Sequence, residues 1–321
     1  MRLSALGDIV HSSIVLQFIK KHYPHAKLHW ICEESFAPLL QTSPHLDHVH
    51  PVALKKLKKN PSLTQARQLI GSLPKVDLAI DLQGLIKSAL LGLFLAKRRI
   101  GPQIGCAREW PAAWFYTDPV VVPCEANVAD RSLIPVSKAL GFSYSHEEIL
   151  AKEPCFVPQK SYPHLDSLLS RPTILLVPSS SQPNKNYPPQ KFAQVAKALE
   201  GQVLISWGNA KEKELAHQIA QQSGATTLPK LTLDELIYLI SRIDLLIGGD
   251  TGPSHLAWAL NRPSLILFGY TTPNLMVQTP INKAIAAKEV DPCRWDKRDA
   301  CIKEILPDDI IAQAKKLLER R

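Results

Sequence analysis

The stretch that most constrains this chain is IDLLIGGDTGPSHLAWAL, residues 243–260. Ile243 to Ile247 form a short apolar run with the length and branching of a buried strand. Gly248-Gly249 is expected to end it, and Asp250-Thr251-Gly252 to turn the chain. Pro253 suits the first turn of a helix, where its missing N–H costs nothing, and His255 to Leu260 continue that helix. The unit is strand, tight turn, helix. Such a turn leaves unpaired backbone N–H groups at the positive end of a helix dipole, beside the Thr251 and Ser254 hydroxyls, and so makes an anion site. The same residues also suit an ordinary βα loop with a capping threonine, and the stretch alone leaves both readings open.

The rest of the chain alternates strands and helices around that unit. A loop (Ser4 to Asp8) leads into a helix from about Ile9 to Lys21 whose apolar face is Ile14, Val15, Phe18 and Ile19. Strands are expected at Lys27 to Ile31, His48 to Val52, Val76 to Asp81 and from Ile100, with helices at Glu34 to Gln41, Ser62 to Ser72 and Asp130 to Leu140, the last ended by Gly141. Ile86 to Leu95 reads as a buried helix. The Pro-containing stretch 151–170 reads as a linker, and a second alternation follows. Its strands are Thr173 to Val177, Val203 to Ile205, Ile243 to Ile247 and Ser264 to Phe268; its helices include Gln190 to Leu199, Lys211 to Ser223, Leu233 to Ser241 and Asp308 to Glu319. The expected fold class is α/β, with two Rossmann-like doubly wound domains, 1–155 and 165–321, facing each other across a cleft. The last helix is expected to pack back on the N-terminal domain.

Composition bounds the function classes. A chain of 321 residues with 45% apolar and 21% charged residues is globular and long enough for two cores. The longest apolar run, Ala89 to Ala96, falls far short of the roughly 20 residues that span a bilayer. Asp8 and His11 interrupt any apolar signal region at the start. The six cysteines show no CxxC pair, so reduced thiols and a cytosolic setting are expected, and Cys293 and Cys301 find no partners for a metal site. Between residues 50 and 110 stand 11 Lys and Arg against 3 Asp and Glu, which holds nearly all of the chain's net charge of +9. Nucleic acid, an anionic membrane surface or an acidic substrate each fit that excess, as does a merely solvated face.

Three loops carry unusual polar density. The first holds Asp8, which by itself also suits a helix N-cap. The second is Ser179-Ser180-Ser181 with Lys185 four residues on, hydroxyls and an ammonium that suit a diphosphate. The third is Asp250-Thr251-Gly252. R-L-S-A-L-G-D-I-V-H at the start, S-S-x₃-K in the middle and G-G-D-T-G-P-S-H-L-A late together resemble the lipopolysaccharide heptosyltransferases, over essentially the whole chain. D-L-Q-G-L-I-K-S-A (81–89), A-R-E-W (107–110), W-F-Y (114–116) and P-V-A-L-K-K-L-K-K (51–59) look most like the type that adds the first heptose to Kdo. The second-heptose type is the nearest competitor.

The resemblance implies a GT-B fold and inverting transfer of L-glycero-D-manno-heptose from ADP-heptose to the Kdo of Kdo₂-lipid A. It implies that Asp8 is the general base and that Ser180, Ser181 and Lys185 hold the leaving diphosphate, Lys185 taking part in catalysis by neutralising developing charge. Thr251, Gly252 and the helix after them complete that cradle, with His255 in the donor set; Asp250 meets the heptose, Glu212 the ribose, and Trp207 and Leu231 lie near the adenine. No metal and no cofactor beyond the donor substrate are implied. Lys55, Lys56, Lys58, Lys59 and Arg108 are the expected clamp on the acidic acceptor, and the lysines also suit an anionic leaflet. The expected setting is therefore cytoplasmic, peripheral on the cytoplasmic face of the inner membrane.

Two alternatives lie outside this reading. Another nucleotide-sugar transferase shares the donor features. A basic nucleic-acid-binding protein shares the charge, yet its basic segment lacks interleaved aromatics, so no nucleic-acid partner is expected. One departure concerns the start. Members of the resembled family open with a strand of about five apolar residues, whereas only Met1 to Leu3 precede the loop here. Met1 is therefore expected to be an internal codon read as an initiator.

Overall fold

The computed structural model describes residues 1–170 and 172–319 and divides into two compact units, Met1–Cys155 and Phe156–Arg321. Positions 320 and 321 of the expected C-terminal domain lie outside the described residues.

The first unit carries five strands: β1 (His29–Glu33), β2 (His48–Val52), β3 (Leu78–Ile80), β4 (Arg98–Pro102) and β5 (Asp118–Val120). All pairings are parallel, β1 with β2 in one sheet and β3, β4 and β5 in order in another. Residues 1–3 bond to both sheets. The Met1 ammonium donates to Ile80 O at 2.6 Å and Leu82 N donates to Met1 O at 3.0 Å, while Glu33 N donates to Leu3 O at 3.1 Å. Beside Met1 lies a cavity of about 660 Å³, lined by Trp30 and Ile31 of β1, by Leu78 and Ile80 of β3, and by Leu16 and Val136 from helices. The expected core face Ile14, Val15, Phe18 and Ile19 is buried on the helix Ile14–His22.

One segment without an assigned element gains one here, and one expectation changes. The basic segment is itself helical, Leu54–Lys59, with no buried residue. The helix Ile86–Leu95 buries Ala89, Leu91 and Leu95 but leaves Leu90, Leu93 and Phe94 exposed. From Ala89 to Leu95 the helix is apolar at every position, which hides the periodicity of its outward stripe, so the sequence alone made it look wholly buried.

The second unit is one parallel sheet of β6 (Thr173–Val177), β7 (Gln202–Ile205), β8 (Thr226–Thr227), β9 (Leu245–Gly249), β10 (Ser264–Phe268) and β11 (Asn282–Ala286), in the order β11-β10-β9-β6-β7-β8. The chain winds outward from β6 to β8, then returns to β9 and winds the other way. This is the doubly wound order, and its switch point lies between β6 and β9, where such sheets bind ligands. Gly248 and Gly249 belong to β9 rather than ending it. A Cβ on Gly248 would stand 2.6 Å from Ser254 Oγ and 2.9 Å from Val177 Cβ, so the glycine permits close approach of β6 and the following helix. The terminal helix Pro307–Leu318 buries Ile310, Ala314 and Leu317 in this unit's own core with Ile174, Phe192 and Val195, and its stripe is thereby committed here.

Cys32, Cys106, Cys155 and Cys301 are free thiols. Cys124 and Cys293 are oxidised, a departure from the expectation of six reduced cysteines; both are exposed, where a thiol meets oxidants.

Candidate active site

In the first unit Asp8 lies in the first turn of the helix Leu6–Ser12, not ahead of it, and its Oδ2 accepts from Ala5 N at 3.2 Å. Arg2 Nη2 stands 2.9 Å from Asp8 Oδ1, and Arg108 Nη2 stands 3.3 Å from Oδ2. Burial pushes the Asp8 carboxyl up, but the Arg2 and Arg108 guanidiniums outweigh it and hold the group below its ordinary range. Arg131, on the helix Val128–Leu140, adds a third guanidinium close enough to feel Arg108, Arg2 and Asp8. Burial first, then Arg108 and Arg2, pull it below the usual arginine range. Arg131 Nε donates to Ala126 O at 3.0 Å, while Arg131 Nη2 and Arg2 Nε are buried with no partner among the described residues. Three guanidiniums around one carboxylate leave positive charge and unused donors for an acidic ligand. Sequence reasoning named Arg108 and missed the other two. Arg2 is the first residue of the R-L-S-A-L-G-D motif, so a signal was present; Arg131 has no local signal, since only the fold brings it there.

The D-L-Q-G motif holds this loop in place. Buried Asp81 accepts from Gln83 N (2.8 Å), Ser88 Oγ (2.7 Å) and Tyr116 OH (2.8 Å). Gln83 Oε1 then accepts from Leu3 N at 2.7 Å, and Arg2 donates to Leu82 O. Gly84, at φ 68°, leaves room for the chain at Ala107 and Arg108, and its carbonyl accepts from Glu109 N at 3.0 Å. These contacts aim Arg108 at Asp8. The lysines expected on the acceptor occupy another element: Lys56 pairs with Glu34 at 2.7 Å and Lys55 lies over Phe36, while Lys58 and Lys59 end the same short helix.

In the second unit the loops after β6 and β9 meet at the switch point. Lys185 Nζ pairs with Asp250 Oδ2, His255 Nε2 lies 3.0 Å from Asp250 Oδ1, and Thr271 Oγ1 donates to Oδ2 at 2.9 Å. Burial alone would raise the Asp250 pKa; the His255 hydrogen bond and the Lys185 charge reverse that and hold it far below the carboxylate range. Lys185 also lies over the Tyr270 ring, 5.7 Å from its centroid. Thr251 is the N-cap of the helix Gly252–Ala259, yet its side chain makes no capping bond; its Oγ1 stands 3.3 Å from Ser254 Oγ. The hydroxyl is therefore not consumed by the cap. In the β6 loop Asn186 Oδ1 accepts from Ser180 N at 2.7 Å, Ser181 is exposed, and Ser179 Oγ is buried without a partner among the described residues. Asn186, Tyr270 and Thr271 were missed in the sequence; a structural amide, an aromatic and a hydroxyl carry no motif of their own.

Glu212, Trp207 and Leu231 follow β7 and β8 on the same side of the sheet. Glu212 Oε2 accepts from Gly208 N at 2.7 Å and Oε1 from Asn209 Nδ2 at 2.6 Å, so the cap of the helix Ala210–Ser223 fixes its direction. Trp207 Nε1 donates to Leu228 O at 2.7 Å.

The model of glycosyltransferase family 9 (heptosyltransferase) matches residues 66–302. Lipopolysaccharide heptosyltransferase 1 of Campylobacter coli is 34% identical, over 99% of this chain and 97% of the relative. The Escherichia coli protein of the same name is 25% identical over 86% of this chain and 88% of its own. Among solved structures, Escherichia coli heptosyltransferase WaaC with ADP superposes at a TM-score of 0.81, 22% identity, covering 99% of this chain and all (100%) of that one. Escherichia coli ADP-heptose LPS heptosyltransferase II superposes at 0.72, also with 22% identity, over 99% and 98%. The two units thus have the GT-B fold, and the chain belongs to glycosyltransferase family 9, the heptosyltransferases.

Proposed function

We propose that this chain transfers L-glycero-D-manno-heptose from ADP-heptose to the Kdo of Kdo₂-lipid A, with inversion and without a metal. The observation that carries the donor half is the Lys185–Asp250–His255–Thr271 cluster around buried Asp250, beside the helix N-terminus and a Thr251 hydroxyl that makes no capping bond. Asp250 has about four lone-pair sites, and three side chains already donate to it. It positions Lys185, whose remaining ammonium protons are left for the leaving diphosphate, and keeps one site for a heptose hydroxyl. Ser179, Ser180 and Thr251 hydroxyls and the first N–H groups of the helix Gly252–Ala259 add donors, so charge that develops on ADP is met as the glycosidic bond breaks. Glu212 is aimed for ribose hydroxyls. A lysine and a helix dipole perform the charge neutralisation a divalent cation would otherwise supply.

On the acceptor side Asp8 takes the proton from the attacking Kdo hydroxyl. Arg2, Arg108 and Arg131 receive the Kdo carboxylate. As those guanidiniums turn to the substrate, the Asp8 carboxyl loses part of what holds its pKa down and becomes a better base. The lysines of 55–59 reach the lipid A phosphates and an anionic leaflet. No helix among the described residues is long and apolar enough to cross a membrane, and the proposed setting is the cytoplasmic face of the inner membrane, peripherally bound.

The test is incubation with ADP-heptose and Kdo₂-lipid A in EDTA, followed by mass spectrometry. Gain of one heptose on Kdo₂-lipid A supports the reading. Transfer only to an acceptor that already carries heptose makes the chain the second-heptose type, and no transfer from ADP-heptose to either overturns it.

A further inference from the structure

We propose that the helix Ile86–Leu95 and the 3-10 segment Trp110–Phe115 form the face by which this chain lies on an anionic bilayer, with Leu90, Leu93, Phe94, Trp110 and Trp114 entering the boundary between headgroups and acyl chains. This deepens the peripheral-membrane reading above and rests on it. Five large apolar side chains from two neighbouring elements are exposed: Leu90 40%, Leu93 42%, Phe94 37%, Trp110 57% and Trp114 66%. Single exposed apolar residues need no explanation, but a group on two packed elements marks an interaction surface.

The surface is rigid before anything binds. Ala89 packs against Ala112, Ala113 and Tyr116, so small side chains bring the 3-10 segment close along the helix. Glu109 Oε2 accepts from Ile86 N at 2.8 Å and ties the start of one element to the start of the other. Tyr116 is anchored on Asp81, and the Trp110 and Trp114 rings meet edge to face with centroids 4.9 Å apart. Pre-ordered tryptophans lose little freedom on entering the interface.

Charge chooses the occupant. From residue 84 to 116 the basic residues are Lys87, Lys97, Arg98, Arg99 and Arg108, and the one acidic residue is Glu109, whose carboxylate already caps the helix. Exposed Lys87 and Lys97 stand near the two ends of the outward stripe Leu90-Leu93-Phe94. Exposed apolar residues that include two tryptophans, with lysines near the ends of the helical stripe, match a headgroup layer, where indole rings sit at the interface and ammonium groups reach lipid phosphates. Position supplies the use: Trp110 is two residues from Arg108, which contacts Asp8, so this face borders the acceptor-side carboxylate. A sugar at the membrane surface would then arrive beside that carboxylate.

The experiment is sedimentation with vesicles of phosphatidylglycerol and phosphatidylcholine, comparing the full chain with the triple variant Phe94→Ser, Trp110→Ser, Trp114→Ser and with the variant Lys55→Gln, Lys56→Gln, Lys58→Gln, Lys59→Gln. The triple variant is expected to partition at least tenfold more weakly while binding ADP as the parent does, which reports its fold. Brominated lipid is expected to quench tryptophan emission in the parent and not in that variant. If the parent ignores anionic vesicles, the peripheral reading fails and this proposal with it. If the parent binds and the triple variant binds equally, only this face is wrong. A parent that is dimeric in solution, turned monomeric by the triple substitution with vesicle binding unchanged, would make the face an interface between copies and overturn the proposal.

Discussion

Asp8, the proposed base, has its charge secured by guanidiniums and a place in the first turn of a helix. The Asp8→Asn change keeps shape and the Ala5 contact but removes the proton acceptor. Transfer is expected to fall by about 10²–10⁴-fold, with ADP affinity unchanged by calorimetry; turnover within tenfold of the parent would sink the role. The pH sign follows from the arginines. Because Arg2 and Arg108 depress its pKa, Asp8 is ionised throughout the neutral range and adds no acid limb there. Arg108→Gln removes one depressing charge, so the acid limb of kcat/KM is expected to move to higher pH. At the donor, Lys185→Ala and Thr251→Ala are each expected to weaken ADP binding, Lys185 the more because it also leaves Asp250 buried without its counter-charge. Unchanged affinity in both would remove the cradle.

At the scale of elements, legibility tracked burial. β6, β9 and β10 are buried at every position and read directly as apolar runs. β5 (Asp118–Val120), β8 (Thr226–Thr227) and β11 (Asn282–Ala286) went unread, being short or at an edge, where polar residues are tolerated and no alternation survives. The motif loops were legible because their chemistry is local. The arginine cluster was not, since Arg2, Arg108 and Arg131 meet only through tertiary packing. Gly248 is a place where the element corrects the sequence: a residue read as a strand stop is a close-packing position. Gly248→Ala puts a Cβ within 2.6 Å of Ser254 Oγ and 2.9 Å of the Val177 carbonyl and Cβ. Such overpacking is expected to cost about 1–3 kcal/mol, lowering Tm by a few degrees in a thermal melt. A parental Tm would show that β6 and the helix yield freely.

For the whole molecule, the second unit is a closed design, while the first has a slot between its two sheets. The cavity of about 660 Å³ is lined by β1 and β3, and residues 1–3 already bond to both sheets at its mouth. A parallel strand of five residues is about 16 Å long and would continue from Met1 along both lips. The Met1 ammonium, held down to about 6 by burial, now donates to Ile80 O instead. Its pKa is lower folded than unfolded, so between about pH 6 and 8 the unfolded chain binds more protons, and stability rises as pH climbs through that window. Appending five β-branched residues ahead of Met1 removes this charge from the site and offers backbone partners to both sheets. The extended chain is expected to melt several degrees higher than the chain of 321 residues, to lose the stability gain between pH 6 and 8, and to show slowed amide exchange along β1 and β3. An extension of the same length made of glycine and serine removes the charge without apolar burial, and should flatten the pH dependence with little rise in Tm. Equal melting temperatures for the β-branched and glycine–serine extensions would show that the slot does not take a strand.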